Sequence, residues 1–188
     1  MVIGYERRVA PVSAVGNRLV GYAAKYGLPS EDLGGFRERI APGAFDQSLN
    51  ESADIRALLG HDSTLVLGRR SAGTLILSTD EVGLRVEIDL PDTTYANDLK
   101  TLVMRGDVSQ MSFGFLVRPG GDNWPGEMDN GLPLRMLTAV DLREVSVVAM
   151  PAYPDTTVAL RSMPRGRNRV RDAWLVENFR KRSLGEYL

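Results

Sequence analysis

Residues 74–90 read TLILSTDEVGLRVEIDL, and this stretch decides the fold class. From Leu84 to Leu90, apolar and polar side chains alternate without a break, which is the period of a strand with one buried face. Residues 74–79 are rich in β-branched and aliphatic side chains, and the polar segment 80–83 between the two runs is typical of a hairpin loop. The stretch therefore predicts two antiparallel strands and indicates a mainly β protein.

The rest of the chain continues this pattern of short strands, with a few segments that break it. Further strands are predicted at residues 19–25, 55–59, 112–117, 136–142 and 145–149. A helix is predicted from Thr93 to Arg105, because apolar residues recur there at helical spacing and Gly106 follows. A short helix is predicted to open at residues 42–45, where a proline suits the first turn. The segment 118–133 is dense in glycine and proline and is predicted to be a long surface loop.

The amino-acid composition limits the chemistry that this chain can perform. Its 188 residues include no cysteine, which excludes disulfides, thiolate zinc sites and a cysteine nucleophile. His61 is the single histidine, so zinc motifs that need two histidines are excluded, and we expect no metal and no cofactor. No apolar run approaches the roughly 20 residues that span a bilayer, and the N-terminal residues lack the apolar core of a secretory signal. We expect a cytoplasmic protein without a membrane partner.

Charge is distributed unevenly along the chain. Residues 161–188 carry eight Arg or Lys side chains and three acidic ones, which gives this segment a charge of +5. Because the net charge of the chain is −1, residues 1–160 carry a charge of −6. We therefore expect one folded domain at 1–160 and a basic extension at 161–188, which either binds a partner or is a solvated end. A domain that binds single-stranded nucleic acid needs aromatic residues interleaved with Lys and Arg. Because the domain is acidic and the chain only 7% aromatic, nucleic acid is not expected as a partner.

His61 is the first residue with a specific chemical use. It follows the apolar run 55–59 where a strand gives way to a turn, so its side chain can be held firmly and still reach solvent. An imidazole titrates near neutral pH and can relay a proton, which suits a general base. A histidine without a chemical role is the more common case for such a position taken alone. Any serine–histidine chemistry in this chain has to use His61.

Two further residues suit the same chemistry. Ser112 opens an apolar strand, and Gly114 two positions later would let a substrate backbone approach its hydroxyl. A strand serine taken alone is nonetheless structural far more often than nucleophilic. Glu144 precedes an apolar run, and a partly buried carboxylate there needs a partner, either an imidazole N–H or the neighbouring Arg143.

These residues stand within a series of short motifs that resembles the prohead (capsid maturation) proteases of tailed phages, of the Hong Kong 97 type. The motifs span about residues 5–160 in the order found in that family. They are GYA at 21–23, IAPGAF at 40–45, GHD at 60–62, LG at 67–68, DEVGL at 80–84, MSFGF at 111–115, EVSVV at 144–148 and PAY at 151–153. The resemblance identifies residues 1–160 as the protease domain.

The resemblance implies a role for each candidate residue. His61 matches the family's histidine and Ser112 its nucleophilic serine, and Glu144 matches its third catalytic residue. Family members often have Asn before the histidine, where this chain has Gly60. The resemblance therefore does not define the local hydrogen bonding of the histidine.

The relation of that family to the herpesvirus assembly proteases extends these expectations. It implies a small β-barrel ringed by helices, which is an α+β fold that is mainly β. By analogy, the backbone N–H groups of Ala152 and Tyr153 would bind the developing oxyanion. Herpesvirus relatives act as dimers, so a dimer is expected.

The resemblance also implies a substrate and a place of action. The enzyme would be a serine endopeptidase that cleaves the capsid's scaffold, often an N-terminal extension of the major capsid protein, and also itself. It would do so inside the assembling prohead, in the host cytoplasm. The alternative is a catalytically inactive relative that binds capsid or scaffold protein and does not need His61, Ser112 and Glu144 close together.

Overall fold

The computed structural model describes residues 13–15, 17–51 and 54–149. These residues form twelve strands and two α-helices, together with a short 3-10 helix at Arg70–Ala72. In chain order they are β1 (Ser13–Val15), β2 (Arg18–Lys25), β3 (Arg37–Ile40), α1 (Asp46–Asn50), β4 (Arg56–Leu59), β5 (Asp62–Arg69), β6 (Leu75–Thr79), β7 (Gly83–Asp89), α2 (Thr94–Arg105), β8 (Gln110–Val117), β9 (Asp122–Asn123), β10 (Met128–Asp129), β11 (Leu132–Leu137) and β12 (Val140–Val148). The prediction of a mainly β protein with flanking helices is confirmed.

The strands are arranged in three open sheets. The first has the order β1-β2-β7-β6 and is antiparallel throughout. The second has the order β10-β11-β3, with β9 also paired to β11, and its β3 and β11 are parallel. The third has the order β5-β4-β12-β8, in which β4 and β12 are parallel. Within the described part of the chain none of these ladders closes on itself, so a closed barrel is not confirmed.

The stretch 74–90 forms the predicted hairpin. Strands β6 and β7 pair antiparallel, and the loop between them is organised by Asp80. Its Oδ1 accepts hydrogen bonds from the backbone N–H groups of Val82 at 2.8 Å and Gly83 at 3.1 Å. The alternation of β7 separates two faces as predicted, and the fully buried side chains on its core face are Leu84, Val86 and Ile88.

The predicted helix is present as α2. It begins after Thr93, whose backbone is extended, and ends before Gly106, whose φ of 81° is the left-handed conformation that favours glycine. One face of the helix is buried, through Ala96, Leu99 and Val103. Neither helix in the part of the chain described is long and apolar enough to cross a membrane.

The short helix predicted to open at residues 42–45 begins later than predicted. These residues form turns, in which the N–H of Ala44 donates to the carbonyl of Ala41, and α1 begins only at Asp46. The physical reason is Gly43, whose φ of 86° lies outside the right-handed helical region. A right-handed helix cannot continue through a residue in that conformation.

The boundary predicted between strands at 136–142 and 145–149 is wrong. Strand β11 ends at Leu137, and β12 then runs as one strand through both predicted segments. The chain turns instead at residues 138–139, whose two backbone N–H groups donate to the carbonyl of Gly121 at 2.8 and 3.0 Å. That turn depends on a contact made with a segment well before it in the chain.

A β-bulge in β12 explains why the hydrophobic pattern of this strand is interrupted. The pairing with β8 shifts between Leu142 and Glu144, so Arg143 is an extra residue. One extra residue reverses which side chains face the core. The core-facing residues are Val140 and Leu142 before the bulge, and Val145 and Val147 after it. The bulge therefore takes Glu144 out of the row that faces the core.

The segment 118–133, predicted to be a surface loop, contains two short strands. Strands β9 and β10 have two residues each and pair with β11, which itself begins at Leu132. Two residues are too few to produce an alternating pattern, so the turn residues dominate the sequence there. The prediction of a loop without strands is wrong in this respect.

One buried apolar cluster joins the first and third sheets. It draws residues from β2 and β7 of the first sheet, from β4, β8 and β12 of the third, and from α2. The third sheet thus has one face on the core, and its strands carry the segments around His61, Ser112 and Glu144. The predicted boundary at residue 160 and the basic extension 161–188 lie outside the described residues.

Candidate active site

His61 stands at the tip of the hairpin between β4 and β5. Leu59 pairs with Asp62 across the ladder, so Gly60 and His61 form a two-residue turn. Both residues have positive φ, 61° and 63°, which is the pattern of the type I′ turn that matches the twist of hairpin strands. The Gly60 N–H donates to the carbonyl of Val147 at 2.9 Å, so the turn is fastened to β12.

The backbone of His61 is an outlier that sequence analysis did not detect. A non-glycine residue at positive φ costs on the order of 1–3 kcal/mol and is found often at functional sites. Glycine and asparagine are the residue types that adopt this conformation most readily. Gly60 therefore suits the turn that presents the histidine, as would the Asn expected from the resemblance.

Glu144 is the partner of the His61 ring. The distance from His61 Nδ1 to Glu144 Oε1 is 2.7 Å, and the two side chains are 29% and 17% exposed. An ionised carboxylate only accepts hydrogen bonds, so Nδ1 carries the proton and Nε2 is the nitrogen that can accept one. Arg143 is the alternative partner expected for Glu144, but its Nη2 instead lies 4.0 Å from Asp141 Oδ2.

Ser146 fixes the other oxygen of the same carboxylate. Its hydroxyl donates to Glu144 Oε2 at 2.5 Å, and the side chain is fully buried. Two residues apart on one strand, Glu144 and Ser146 lie on the same face of β12. With one oxygen on the imidazole and the other on a buried hydroxyl, the carboxylate is held in a single orientation.

Ser112 lies directly across the ladder from Ser146. The two residues are paired in the antiparallel register of β8 and β12, and directly opposed side chains in such a pair have Cβ atoms about 4.5–5.5 Å apart. Ser112 is 9% exposed, whereas Ser146 is not exposed at all. The structure therefore brings Ser112, Glu144 and His61 to one face of the third sheet, and of the two serines Ser112 is the one with access to solvent.

Gly114 has a role in this arrangement that differs from the one expected. It lies opposite Glu144 in the ladder, and a Cβ atom at this position would stand 2.5 Å from Glu144 Oε1. The absence of a side chain thus leaves room for the carboxylate beside Gly114, where the same Oε1 contacts His61 Nδ1. The role expected for this glycine was to let a substrate backbone approach the hydroxyl of Ser112.

A pocket of about 200 Å³ opens beside Ser112. Its walls come from β2, from the segment 28–33, from β3 and from residues 111–113 of β8. Ser112 is one of the lining residues, so a molecule in the pocket lies next to its backbone or hydroxyl. The arrangement joins a serine at the edge of a pocket to the face that carries a carboxylate-bound imidazole.

Other expected features are outside the described residues or were missed. Ala152 and Tyr153, the expected oxyanion donors, lie outside the described residues. Ser146 was not singled out, although its position two residues after Glu144 on a predicted strand puts both side chains on one face. In the described part of the chain, no three His, Cys, Asp or Glu side chains are grouped as metal ligands would be.

Comparison with known proteins supplies the family. Neither the curated proteins nor the solved structures contain a match to this chain. A family model does match, the one described as caudovirus prohead serine protease, and it aligns with residues 6–168. The match covers most of the chain, including the segments of His61, Ser112 and Glu144. The chain therefore belongs to the caudovirus prohead serine proteases, and it has the serine protease role in capsid maturation that defines them.

Proposed function

We propose that His61, Ser112 and Glu144 are the catalytic triad of this protease. The observation that carries the proposal is the 2.7 Å contact between the only imidazole of the chain and Glu144. It lies on the sheet face where the neighbouring strand presents Ser112 beside a pocket. A base, a group that orients it and a hydroxyl next to a substrate-sized space are the parts that acyl transfer requires.

The proposed reaction follows the acyl-enzyme route. Ser112 Oγ attacks the scissile carbonyl carbon while His61 Nε2 takes the hydroxyl proton, and the imidazolium then gives that proton to the leaving amine. Water releases the acyl group in a second round, with His61 again acting as base and then acid. Glu144 holds the proton on Nδ1 and stabilises the charged ring, and Ser146 holds Glu144.

We propose that the developing oxyanion is bound by the donors expected from the resemblance. These are the backbone N–H groups of Ala152 and Tyr153, which follow the end of β12 by four and five positions. The kinship with herpesvirus assembly proteases and the barrel that it implies are part of the same proposal, as is the Hong Kong 97 type. The core shared by the first and third sheets is compatible with a barrel-like arrangement.

The proposed substrate is the scaffold of the capsid, as a separate protein or as an N-terminal extension of the major capsid protein. The chain itself is a second proposed substrate. Family membership places the action in the assembling prohead within the host cell and implies contact with capsid or scaffold protein. The basic extension 161–188 is proposed to dock the enzyme onto acidic scaffold, because its charge of +5 would attract an acidic partner.

We further propose that the active form is a dimer in which α2 supplies the contact. Met104 on this helix is 73% exposed, although it is apolar. Light scattering at increasing concentration is expected to give twice the chain mass, and Met104→Asp is expected to lower it. A monomer at all concentrations would reject the dimer without affecting the triad.

Incubation with the cognate capsid precursor, followed by intact-mass measurement, tests the proposed function. Wild type is expected to remove a defined segment. Ser112→Ala is expected to reduce turnover by on the order of 10⁴–10⁶, as for triads that act as a unit. Ser146→Ala is the matched control, because it deletes a neighbouring hydroxyl that supports Glu144. Its loss should be about 10- to 100-fold, the equivalent of one hydrogen bond to a charged group.

The same experiment separates the protease from a catalytically inactive relative. An inactive capsid-binding domain would leave the precursor intact with wild type and Ser112→Ala alike, while still co-purifying with it. Processing by Ser112→Ala at the wild-type rate would instead assign the nucleophile to another residue. Deletion of 161–188 tests the docking role separately, since it should abolish salt-sensitive incorporation into proheads and leave cleavage of precursor in solution unchanged.

A further inference from the structure

The pocket beside Ser112 has apolar walls and a buried acidic group. Leu28, Leu33, Ile40 and Met111 are among the lining residues, and Glu38 lines it as well. Apolar walls of this kind suit an aliphatic side chain, but a carboxylate among them is costly unless it is paired. The composition of the pocket therefore calls for a ligand that is aliphatic along its length and polar at its end.

Glu38 is held in place by a buried arginine. It lies directly opposite Arg135 in the parallel register of β3 and β11, and it is 7% exposed while Arg135 is completely buried. Arg135 Nη1 donates to Glu38 Oε2 at 3.1 Å, and Arg135 Nε donates to Asp122 Oδ2 at 2.9 Å. With two carboxylates and one guanidinium, the group carries one net negative charge when Glu38 is ionised.

One oxygen of Glu38 remains available to a ligand. Its Oε2 is used by Arg135, and the hydrogen bonds recorded among the described residues give Oε1 no donor. Because Oε1 has no such donor and is not completely buried, it retains access to solvent. The Glu38 side chain also lines the pocket. A single accepting oxygen on the wall of a mainly apolar pocket fits one donor group.

The charged residues at the rim of the pocket do not alter the acidic character of its interior. Lys25 and Glu31 also line it, and they are opposite in sign, so their contributions largely cancel. Glu31 is exposed and Lys25 partly exposed, and solvent screens their effect on a ligand. The acidic character of the interior therefore comes from Glu38 and its neighbours.

We infer that this pocket is the subsite that binds a lysine side chain of the substrate, with the ammonium group on Glu38 Oε1. The four-carbon stem of lysine packs on the apolar walls, and its compact charge needs a single acceptor. Arginine fits less well, because its planar fork prefers two oxygens of one carboxylate and Arg135 already occupies one of them. Because Ser112 lines the same pocket, the lysine lies within a few residues of the scissile bond.

This inference rests on the proposed function, because it assigns the specificity of the same site. The first experiment uses a peptide library made by cutting a proteome after glutamate, so that internal lysines are retained, with cleavage sites read by mass spectrometry. Lysine should be enriched at one fixed position near the new termini. In the same library Ser112→Ala should cut nothing. Cutting by that variant would reject the proposed function, and cutting by wild type without lysine enrichment would reject only the lysine subsite.

A matched peptide pair then isolates the ammonium group. The most rapidly cut peptide is compared with one carrying norleucine, which keeps the aliphatic stem, in place of the enriched lysine. Wild type should prefer lysine at least about tenfold in kcat/KM, the ratio that one charge-assisted hydrogen bond supplies. Glu38→Gln should reduce this preference to less than threefold, because it removes the charge that the ammonium group binds.

Glu81→Gln is the matched control for that variant. Glu81 is exposed in the loop between β6 and β7 and does not line the pocket, so the same chemical change there should leave the lysine preference intact. An equal preference for lysine and norleucine in wild type would overturn the inference. So would a lysine preference that persists in Glu38→Gln.

A second measurement needs no variant. Burial raises the pKa of Glu38 to about 7, against the opposing effect of Arg135 and with a further increase from Asp122. The other charged groups near Glu38 are Arg135 and Asp122 in the same sheet, and Lys25 and Glu31 among the residues that line the pocket. The lysine-to-norleucine ratio should therefore rise by up to about tenfold over this range as Glu38 ionises. Titration of His61 affects both peptides equally and cancels in the ratio, so a constant ratio would contradict the lysine subsite.

Discussion

His61 Nδ1 and Glu144 Oε1 lie 2.7 Å apart, although the two residues are separated by 83 positions in the sequence. The contact joins the tip of the β4–β5 hairpin to the middle of β12, the strand that pairs directly with β4. Ser146 holds the second oxygen of the carboxylate. The imidazole is thus oriented by two residues of one strand, and that strand pairs directly with the one carrying Ser112.

Glu144→Gln is expected to preserve the shape of the site and remove its charge. The amide can present its NH₂ group to Nδ1 and so favour the wrong tautomer, and it no longer stabilises the imidazolium. Turnover of the capsid precursor should fall by about 10²- to 10⁴-fold, by analogy with triads whose acidic member is amidated. An unchanged thermal midpoint shows that the fold is retained. Activity within a factor of three of wild type would exclude Glu144 from the mechanism.

Gly114→Ala is expected to displace the Glu144 carboxylate. The added Cβ would stand 2.5 Å from Oε1, which is closer than real Cβ contacts, so the carboxylate has to move; the distances to Cγ and Cδ, both 3.2 Å, are tight as well. We expect at least about a tenfold loss of turnover with a smaller change in unfolding free energy, because the displaced group touches few core residues. In a Glu144→Ala background the same change should have almost no further effect, since its target is gone. Additive losses would contradict this explanation.

The Gly60 position is expected to tolerate asparagine better than alanine. With φ at 61° and nothing within 4 Å of a Cβ, the penalty there is conformational and not steric. Gly60→Ala should lower the free energy of unfolding by about 1 kcal/mol, and Gly60→Asn by a few tenths. Urea unfolding of both variants measures the difference. Equal destabilisation would show that the turn can relax to negative φ.

Glu38 is expected to make the protein less stable as pH rises. Burial raises its folded pKa to about 7, whereas the unfolded chain has the ordinary value of 4.5. Between these two pKa values, Glu38 is protonated in the folded state and ionised in the unfolded chain. The stabilisation that this proton gives the folded state is therefore complete below pH 4.5 and is lost as pH rises through 7. Relative to Glu38→Gln, the free energy of unfolding should decline by about 3 kcal/mol from pH 4 to pH 8. Parallel curves for the two proteins would contradict the buried, proton-binding state.

Much of the local structure could be predicted from particular segments. The alternation at 84–90 identifies β7, and the apolar spacing at 93–105 with Gly106 identifies α2, because both depend on neighbouring residues. The turn at 138–139 could not be predicted, since it has neither glycine nor proline and is held by the carbonyl of Gly121. The bulge at Arg143 could not be predicted either. An extra residue interrupts the alternating pattern of a strand, and in the sequence this interruption is the same as a boundary between two strands.

The candidate site could be predicted in its residues but not in its connections. His61 was singled out by being the only histidine, and Ser112 and Glu144 by the resemblance of their motifs. The hydroxyl of Ser146 and the space above Gly114 depend on the register of β8 against β12, and register is set by long-range pairing. The role of Glu38 depends on its pairing with Arg135, 97 residues later, which no local pattern indicates.

The central claim is that the Ser112 hydroxyl is activated by His61, and labelling with a fluorophosphonate tests it most directly. Such a probe forms a phosphorus–oxygen bond with an activated serine and releases fluoride. Peptide mapping is expected to find one adduct, on Ser112, formed by wild type and by Ser146→Ala but not by His61→Ala. An adduct on Ser146, or labelling of Ser112 at the same rate without the imidazole, would contradict the account.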